Sequence, residues 1–173
     1  QGGDYGDYIN AGGLGTNVDI IGGLGADRFV ASNYGSVLQG FATSAAAPLN
    51  TGRDTFTGGT VSDTFVLGNT IGNAYTTGIA AVVNQFTIVG PNSDTLELFR
   101  NGATGTPADF VAGGLGSWEM RNAVADPVYT INYVDGLGVG TASITDNLSA
   151  NTIANFNYVG SGANLSASNF NLV

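Results

Sequence analysis

The chain has no cysteine, no histidine and no lysine, and its four cationic side chains are arginines. Without cysteine there is no disulfide framework and no thiolate metal site. Without histidine, cysteine or lysine, the usual catalytic triads and zinc sites are excluded, which leaves carboxylate chemistry such as a glycosidase pair. The only glutamates are Glu97, in an alternating strand pattern, and Glu119, which either pairs with Arg121 or lies beside Trp118 in a loop. We therefore expect no enzymatic activity.

Cationic side chains are scarce: the four arginines are opposed by 13 acidic residues, which gives a net charge of −9. Nucleic acid is thus not an expected partner, because phosphate binding depends on clustered cations. Long apolar runs are absent as well: the longest, "GIAAVV" at 78–83, is far below the roughly 18 residues that a membrane span requires. No transmembrane segment is expected.

Glycine, in contrast, is abundant, with 28 residues in 173, where ordinary usage is about 7%. Each glycine adds to the conformational entropy that folding must overcome. A chain of this composition needs repeated tight turns, a bound ligand or a partner. Hydrophobic residues make up 43% of the chain, which argues against disorder.

The glycines and carboxylates recur in short repeats. The segments "GGDYGDYINA", "GGLGTNVDII" and "GGLGADRFVA" align on their glycine pairs, and "DTFTGGTVSDTFVLGN" forms a second block. The aligned polar residues are Asp7, Asn17 and Asp27, ten apart, and Asp54 and Asp63, nine apart. The residue two positions after each aspartate is predicted to point inward from a short strand, because side chains alternate along a strand; these residues are Ile9, Phe29, Phe56 and Phe65.

Stacked repeats bring carboxylates close together. Neighbouring strands lie about 4.8 Å apart, and two like charges about 5 Å apart at an effective dielectric of about 20 repel by about 3 kcal/mol. A cation between them reverses the sign of that interaction. Oxygen ligands without imidazole or thiolate favour Ca²⁺. The 27-residue separation of Asp27 and Asp54 equals three repeats, but Ser36 and Ala45 occupy the intermediate positions, so we treat this spacing as coincidence.

The segment "GGLGADRFV" at 22–30 resembles the nonapeptide G-G-x-G-x-D-x-U-x of RTX (hemolysin-type calcium-binding) proteins, where U is large and apolar. Other copies depart from it: Asn17 replaces the aspartate, and Tyr5 and Val61 replace the third glycine. The later runs "NQFTIVGPNSDTLELF" and "NTIANFNYVGSGANLSASNFNLV" are similar to C-terminal segments of cyanobacterial RTX proteins. The resemblance implies bound Ca²⁺, with carboxylate ligands from Asp27 and Asp63, then Asp54 and Asp7, and carbonyl ligands from Gly22, Gly23 and Gly25.

The fold class expected is all-β, a short parallel β-roll or β-solenoid with glycine-rich calcium-binding turns, followed by a β-rich C-terminal part. Residues 1–67 are assigned to the β-roll, with an inserted loop at about 32–53, and residues 68–173 to the C-terminal capping or assembly region. The pattern predicts strands at 82–89, 94–99, 128–134, 141–145, 152–159 and 169–173. It predicts helical turns near 78–84 and 107–112, and a hairpin turn at "DGLGVG", 135–140.

Three functions follow as hypotheses. The leading one is an extracellular, cell-surface structural protein, stabilised by Ca²⁺, that self-assembles into a filament or layer through its open β-solenoid ends. The second is the C-terminal secretion and folding module of a larger RTX adhesin, toxin or enzyme. The third is a monomeric carbohydrate-binding module. Cell-surface polysaccharide is a further expected partner.

Overall fold

The protein is an all-β chain with parallel sheets. Its structure, a computed structural model, describes residues 1–40, 52–69, 72–73, 80–98, 110–114, 116–121, 127–147 and 150–172. Two short 3₁₀ turns, Gly162–Asn164 and Ala167–Asn169, lie among the described residues. The strands, in chain order, are β1 Tyr8–Asn10, β2 Val18–Ile21, β3 Arg28–Val30, β4 Ser36–Gln39, β5 Thr55–Thr57, β6 Thr64–Val66, β7 Gly68–Asn69, β8 Gly72–Asn73, β9 Ala81–Thr87, β10 Thr95–Leu98, β11 Phe110–Gly114, β12 Ser117–Arg121, β13 Pro127–Asp135, β14 Val139–Asp146, β15 Asn151–Val159 and β16 Phe170–Leu172.

The main strands alternate between two sheets, which we call sheet A and sheet B. Sheet A has the order β1-β3-β5-β9-β15-β14-β13-β12-β11, and sheet B has the order β2-β4-β6-β10-β16. The pairs from β1 through β15 in sheet A and all the pairs of sheet B are parallel. Each pass of the chain through both sheets, here called a coil, therefore adds one strand to each.

The core lies between the two sheets and is built from columns of residues in register. Sheet A contributes Ile9, Phe29, Phe56, Val83 and Phe156. Sheet B contributes Ile20, Leu38, Phe65, Leu96 and Phe170. The predicted inward residues Phe29, Phe56 and Phe65 are fully buried, and Ile9 packs against the core from the first coil. The alternation predicted from the D-x-U spacing is thus confirmed.

Aromatic rings join the two sheets across this core. Phe56 of sheet A meets Phe65 of sheet B edge-on at 6.2 Å between ring centroids, and Phe65 meets Phe86 at 5.8 Å. Phe86 faces inward because Gln85 adopts a left-handed φ of 58°, which interrupts the alternation as β-bulges do. Both Val83 and Phe86 are fully buried as a result.

Several sequence predictions need correction. The helical turn near 78–84 is wrong at its described end, since Ala81–Thr87 is a strand whose Val83 and Phe86 pack in the core. The loop at 32–53 is wrong at its start, because β4 at Ser36–Gln39 joins sheet B; residues 41–51 lie outside the described residues. Of the turn near 107–112, residues 110–112 belong to strand β11 and 107–109 are not described. The six later strands and the hairpin turn are confirmed.

The two ends of the stacked sheets differ. At the N-terminal end the described strands of both sheets stop together, at β1 and β2. At the other end sheet B stops at β16, whereas sheet A continues past β15 through four antiparallel strands, β14 to β11. The strands at 81–98 and 151–172 extend the two sheets that the first 67 residues begin.

Candidate functional site

Aspartates stand directly before strands and are buried there. The exposed fraction is 1% for Asp27, 0% for Asp54, 2% for Asp63 and 1% for Asp94. Buried carboxylates are rare unless their oxygens are paired. Their surroundings therefore decide what these residues do.

In sheet A the carboxylates form a ladder of hydrogen bonds to backbone amides. The Asp7 amide donates to Asp27 Oδ1 over 2.8 Å, and the Asp27 amide donates to Asp54 Oδ1 over 2.9 Å. The second oxygen closes the preceding turn, since the Gly23 amide donates to Asp27 Oδ2 over 3.1 Å and the Gly3 amide to Asp7 Oδ2 over 2.6 Å. Asp27 thus satisfies one amide of its own turn and one of the adjacent coil, which would otherwise be buried without partners.

Sheet B carries a second ladder. The Asp63 amide donates to Asp94 Oδ1 over 2.8 Å, and the Thr87 amide donates to Asp94 Oδ2 over 2.7 Å. The Gly59 amide donates to Asp63 Oδ2 over 2.6 Å. No hydrogen bond of standard geometry reaches the buried Asp63 Oδ1 from the described residues, although the amide and hydroxyl of Ser36 approach the carboxylate closely enough to lower its pKa. Asp63 therefore has a buried oxygen that is bonded less well than those of Asp27 and Asp94.

Two of these relations differ from the sequence analysis. Asp27 and Asp54 stand in register in neighbouring strands, so their spacing is not a coincidence. Asp7 and Asp27 are likewise neighbours, and Asn17 between them precedes β2 of the other sheet. One coil therefore contains two repeats. The position in sheet B that meets Asp63 is Ser36, where the pattern had led us to look for another aspartate.

Asp94 is the site residue that sequence reasoning missed. It stands two positions before the fully buried Leu96, with the same D-x-U spacing as the other ladder aspartates. The segment before it lacks the glycine pair that marks the earlier repeats, so the glycine pattern does not identify Asp94. The D-x-U spacing alone was sufficient to find it.

Burial raises the pKa of three ladder carboxyls. The pKa of Asp94 is raised to about 7, mainly by loss of solvent, with the Asp63 carboxylate adding to the rise and the Thr87 and Asp63 amides opposing it. Burial also raises the pKa of Asp63, against the opposing effect of the Gly59 amide and the adjacent Ser36, and that of Asp27, against the Asp7 and Gly23 amides. Burial therefore disfavours the ionised form of these three carboxyl groups.

The predicted glycine ligands line the turn before β3. A Cβ at Gly23 would lie 1.8 Å from the Gly3 carbonyl oxygen, and Gly25 has a φ of 106°, which L side chains rarely adopt. Gly22 has no room for a side chain either, because a Cβ would lie 2.2 Å from Asp27 Oδ2. Turns of adjacent coils therefore touch through their backbones, which explains the glycines without reference to a ligand.

We tested whether these residues fit the Ca²⁺ that the resemblance implies. The ion takes six to eight oxygens, and the described residues contain no group of three or more acidic or other metal-ligating side chains. Both Asp27 oxygens accept amide hydrogens, whereas Asp63 Oδ1, beside Ser36, accepts no hydrogen bond of standard geometry among the described residues. Asp63 fits best, with carbonyl and water oxygens needed to complete the shell. Asp27, Asp54 and Asp7 fit less well.

The two glutamates have structural surroundings. Glu119 lies in β12 and pairs with Arg121, with 2.6 Å between Oε2 and Nη2, which settles the alternative in favour of the ion pair. Glu97 is half-buried in β10 and accepts a hydrogen bond from Asn171 over 3.4 Å. Neither arrangement points to a carboxylate pair of the glycosidase kind.

Comparison with known proteins adds no family to this picture. No protein-family model matches the chain, and none of the curated proteins is significantly similar to it. In the described part of the chain there is no helix with the length and apolar character needed to cross a membrane.

Proposed function

We propose that the chain is an extracellular structural module that works by adding strands of another coil to the open edges of its first coil. The observation that carries the proposal is that sheets A and B end side by side at β1 and β2. Strand edges of this kind present unpaired backbone donors and acceptors and pair readily with further strands. Cell-surface localisation and self-assembly into a filament or layer belong to this proposal.

The side chains at the open end support it. Tyr5 is 86% exposed, Tyr8 61% and Leu14 50%, while Ile9 closes the aromatic core only in part. Exposed apolar groups beside an open edge favour association. Of the two edge strands, β1 carries no charged residue and β2 carries one, the exposed Asp19, so charge opposes pairing mainly on the side of sheet B.

The difference between the two ends supports a second candidate, a terminal module that caps further coils. Repeating head-to-tail contact needs two complementary ends, yet only sheet B ends at β16 while sheet A runs on to β11. An antiparallel extension on one side and an open end on the other is the arrangement of a capping unit. The larger RTX protein that the resemblance implies would supply such coils.

Association through the first coil is tested by removing one outward amide from each edge strand. The Arg28 amide donates to the Asp7 carbonyl and the Ala11 amide to the Val30 carbonyl, so by the alternation of a parallel ladder Tyr8 directs its amide to the open edge. The corresponding residue of β2 is Asp19, because the flanking Val18 amide donates to Gly35. Light scattering is expected to show the native chain above its 17.4 kDa monomer mass and the Tyr8→Pro/Asp19→Pro variant at that mass.

The matched control is Tyr8→Thr/Asp19→Thr, which removes the same side chains but keeps both amides, and it should associate like the native chain. Electron microscopy then separates fibres from closed pairs. A native chain that stays monomeric up to its solubility limit contradicts self-assembly and leaves the capping unit as the function.

Calcium stabilisation is a separate part of the proposal, centred on Asp63. A ligand present at about 100 times its Kd stabilises the folded state by about 2.7 kcal/mol, which corresponds to a rise in Tm of roughly 5–10 °C for a chain of this size. Ca²⁺ titration of chelated protein, followed by circular dichroism, should show this rise, and Mg²⁺ and the Asp63→Asn variant should show less. An unchanged melting curve argues against bound calcium.

A further inference from the structure

The outer face of sheet A carries a shallow groove of about 320 Å³ that crosses strands β9, β15, β14 and β13. Its volume is at the lower end of the range for ligand pockets. One register row across it consists of Asn132, Ser143, Asn155 and Val82. The next consists of Val134, Thr141 and Asn157.

The polar side chains of this groove are largely free. Among the described residues, the side chains of Asn132, Ser143, Asn155 and Thr141 make no hydrogen bond, and all are exposed or half-exposed. Only Asn157 is held, since its Nδ2 donates to Asn84 Oδ1 over 3.0 Å. The groove therefore offers amide and hydroxyl groups that can both donate and accept hydrogen bonds.

The chemistry of the lining selects the ligand. No charged side chain lines the groove, so an ionic ligand would gain no complementary charge there. A peptide strand cannot extend the sheet at this place, because each of the four strands already has a hydrogen-bonded neighbour on both sides. The outer neighbours are β5, beside β9, and β12, beside β13. Val82 and Val134 supply apolar contacts beside the polar groups.

We propose that this groove binds a neutral polysaccharide. Sugar hydroxyls match the amides and hydroxyls of the two rows, and the C–H surfaces of the rings match the two valines. The proposed cell-surface role bears on this inference only because it would place the protein beside a glycan. The binding itself does not depend on that role, since the groove lies away from the β1 and β2 edges.

Affinity electrophoresis tests the proposal with dextran, amylose, xylan and galactomannan as neutral probes and alginate as an anionic one. We expect at least one neutral probe to retard the native chain and alginate not to. The Asn132→Ala/Asn155→Ala variant, which changes only solvent-facing side chains, should bind that probe about tenfold or more weakly, as expected for the loss of two hydrogen-bonding residues.

The matched control is Asn33→Ala, an exposed asparagine in the turn between β3 and β4, which should bind like the native chain. Retardation by none of the neutral probes overturns the proposal, as does binding that the groove variant leaves unchanged. Light scattering of the same samples reports association independently, so a failure here is distinguishable from a failure of the open-edge proposal.

Discussion

Replacing Phe56 with alanine is expected to lower the free energy of unfolding by about 3–5 kcal/mol, the usual cost of removing a buried phenylalanine. Phe56 is fully buried, stacks on Phe29 with ring centroids 5.1 Å apart and meets Phe65 edge-on. It joins two neighbouring coils and both sheets, so little can collapse into the cavity. Because whole domains are stable by only about 5–15 kcal/mol, guanidinium denaturation followed by far-UV circular dichroism should show a much earlier transition.

The matched control for Phe56→Ala is Tyr34→Ala. Tyr34 is also aromatic but is 57% exposed, so its loss should change the free energy of unfolding by no more than about 0.5 kcal/mol. Phe56→Leu should fall between the two variants, since leucine fills part of the cavity. Equal effects of Phe56→Ala and Tyr34→Ala would contradict the placement of the core between the two sheets.

The second large effect is a decrease in stability as the pH rises, measured in chelator so that no divalent ion intervenes. The pKa of Asp94 is raised by burial to about 7, against about 3.9 for an unfolded aspartate. The protonated Asp94 carboxyl therefore contributes its full stabilisation below about pH 3.9, and this stabilisation is lost as the pH rises through about 7. Between those limits the free energy of unfolding should fall by up to about 1.4 kcal/mol per pH unit.

The burial that raises the pKa of Asp27 and Asp63 adds to this trend in the same direction. The Asp94→Asn variant is the control, because the amide cannot titrate in this range yet keeps one oxygen to accept a backbone hydrogen bond. Its denaturation midpoints should depend less on pH between about 4.5 and 6.5 than those of the native chain. A native chain that becomes more stable from pH 5 to pH 7 in chelator contradicts the assignment.

The repeats made much of the fold predictable. The D-x-U spacing identified where strands begin and which residue points inward. Both depend only on three consecutive residues, because side chains alternate between the two faces of a strand. It succeeded at Phe29, Phe56 and Phe65 and would have succeeded at Leu96. The prediction failed at 78–84, where alanine and valine suit a helix or a strand and pairing with β5 and β15 decided the outcome.

The candidate site was predictable in its residues but not in its bonding. Asp27 and Asp54 belong to the hydrogen-bond ladder of sheet A, and Asp63 belongs to that of sheet B. Each oxygen can accept either an amide hydrogen or a cation, however, and a sequence pattern does not distinguish the two. Only the structure shows that the Gly23 amide of its own turn and the Asp7 amide of the adjacent coil occupy the two oxygens of Asp27.

By itself, the sequence determined the local rules of this protein: the absence of cysteine and histidine chemistry, the glycine turns, and the strand that follows each aspartate. These depend on residue type and on neighbours a few positions away. Tertiary structure alone decided that two repeats make one coil, that Asp27 meets Asp54, and that Asn132, Ser143 and Asn155 form one row. Those relations depend on which distant strands share hydrogen bonds, and that choice is made by the packing of the whole core.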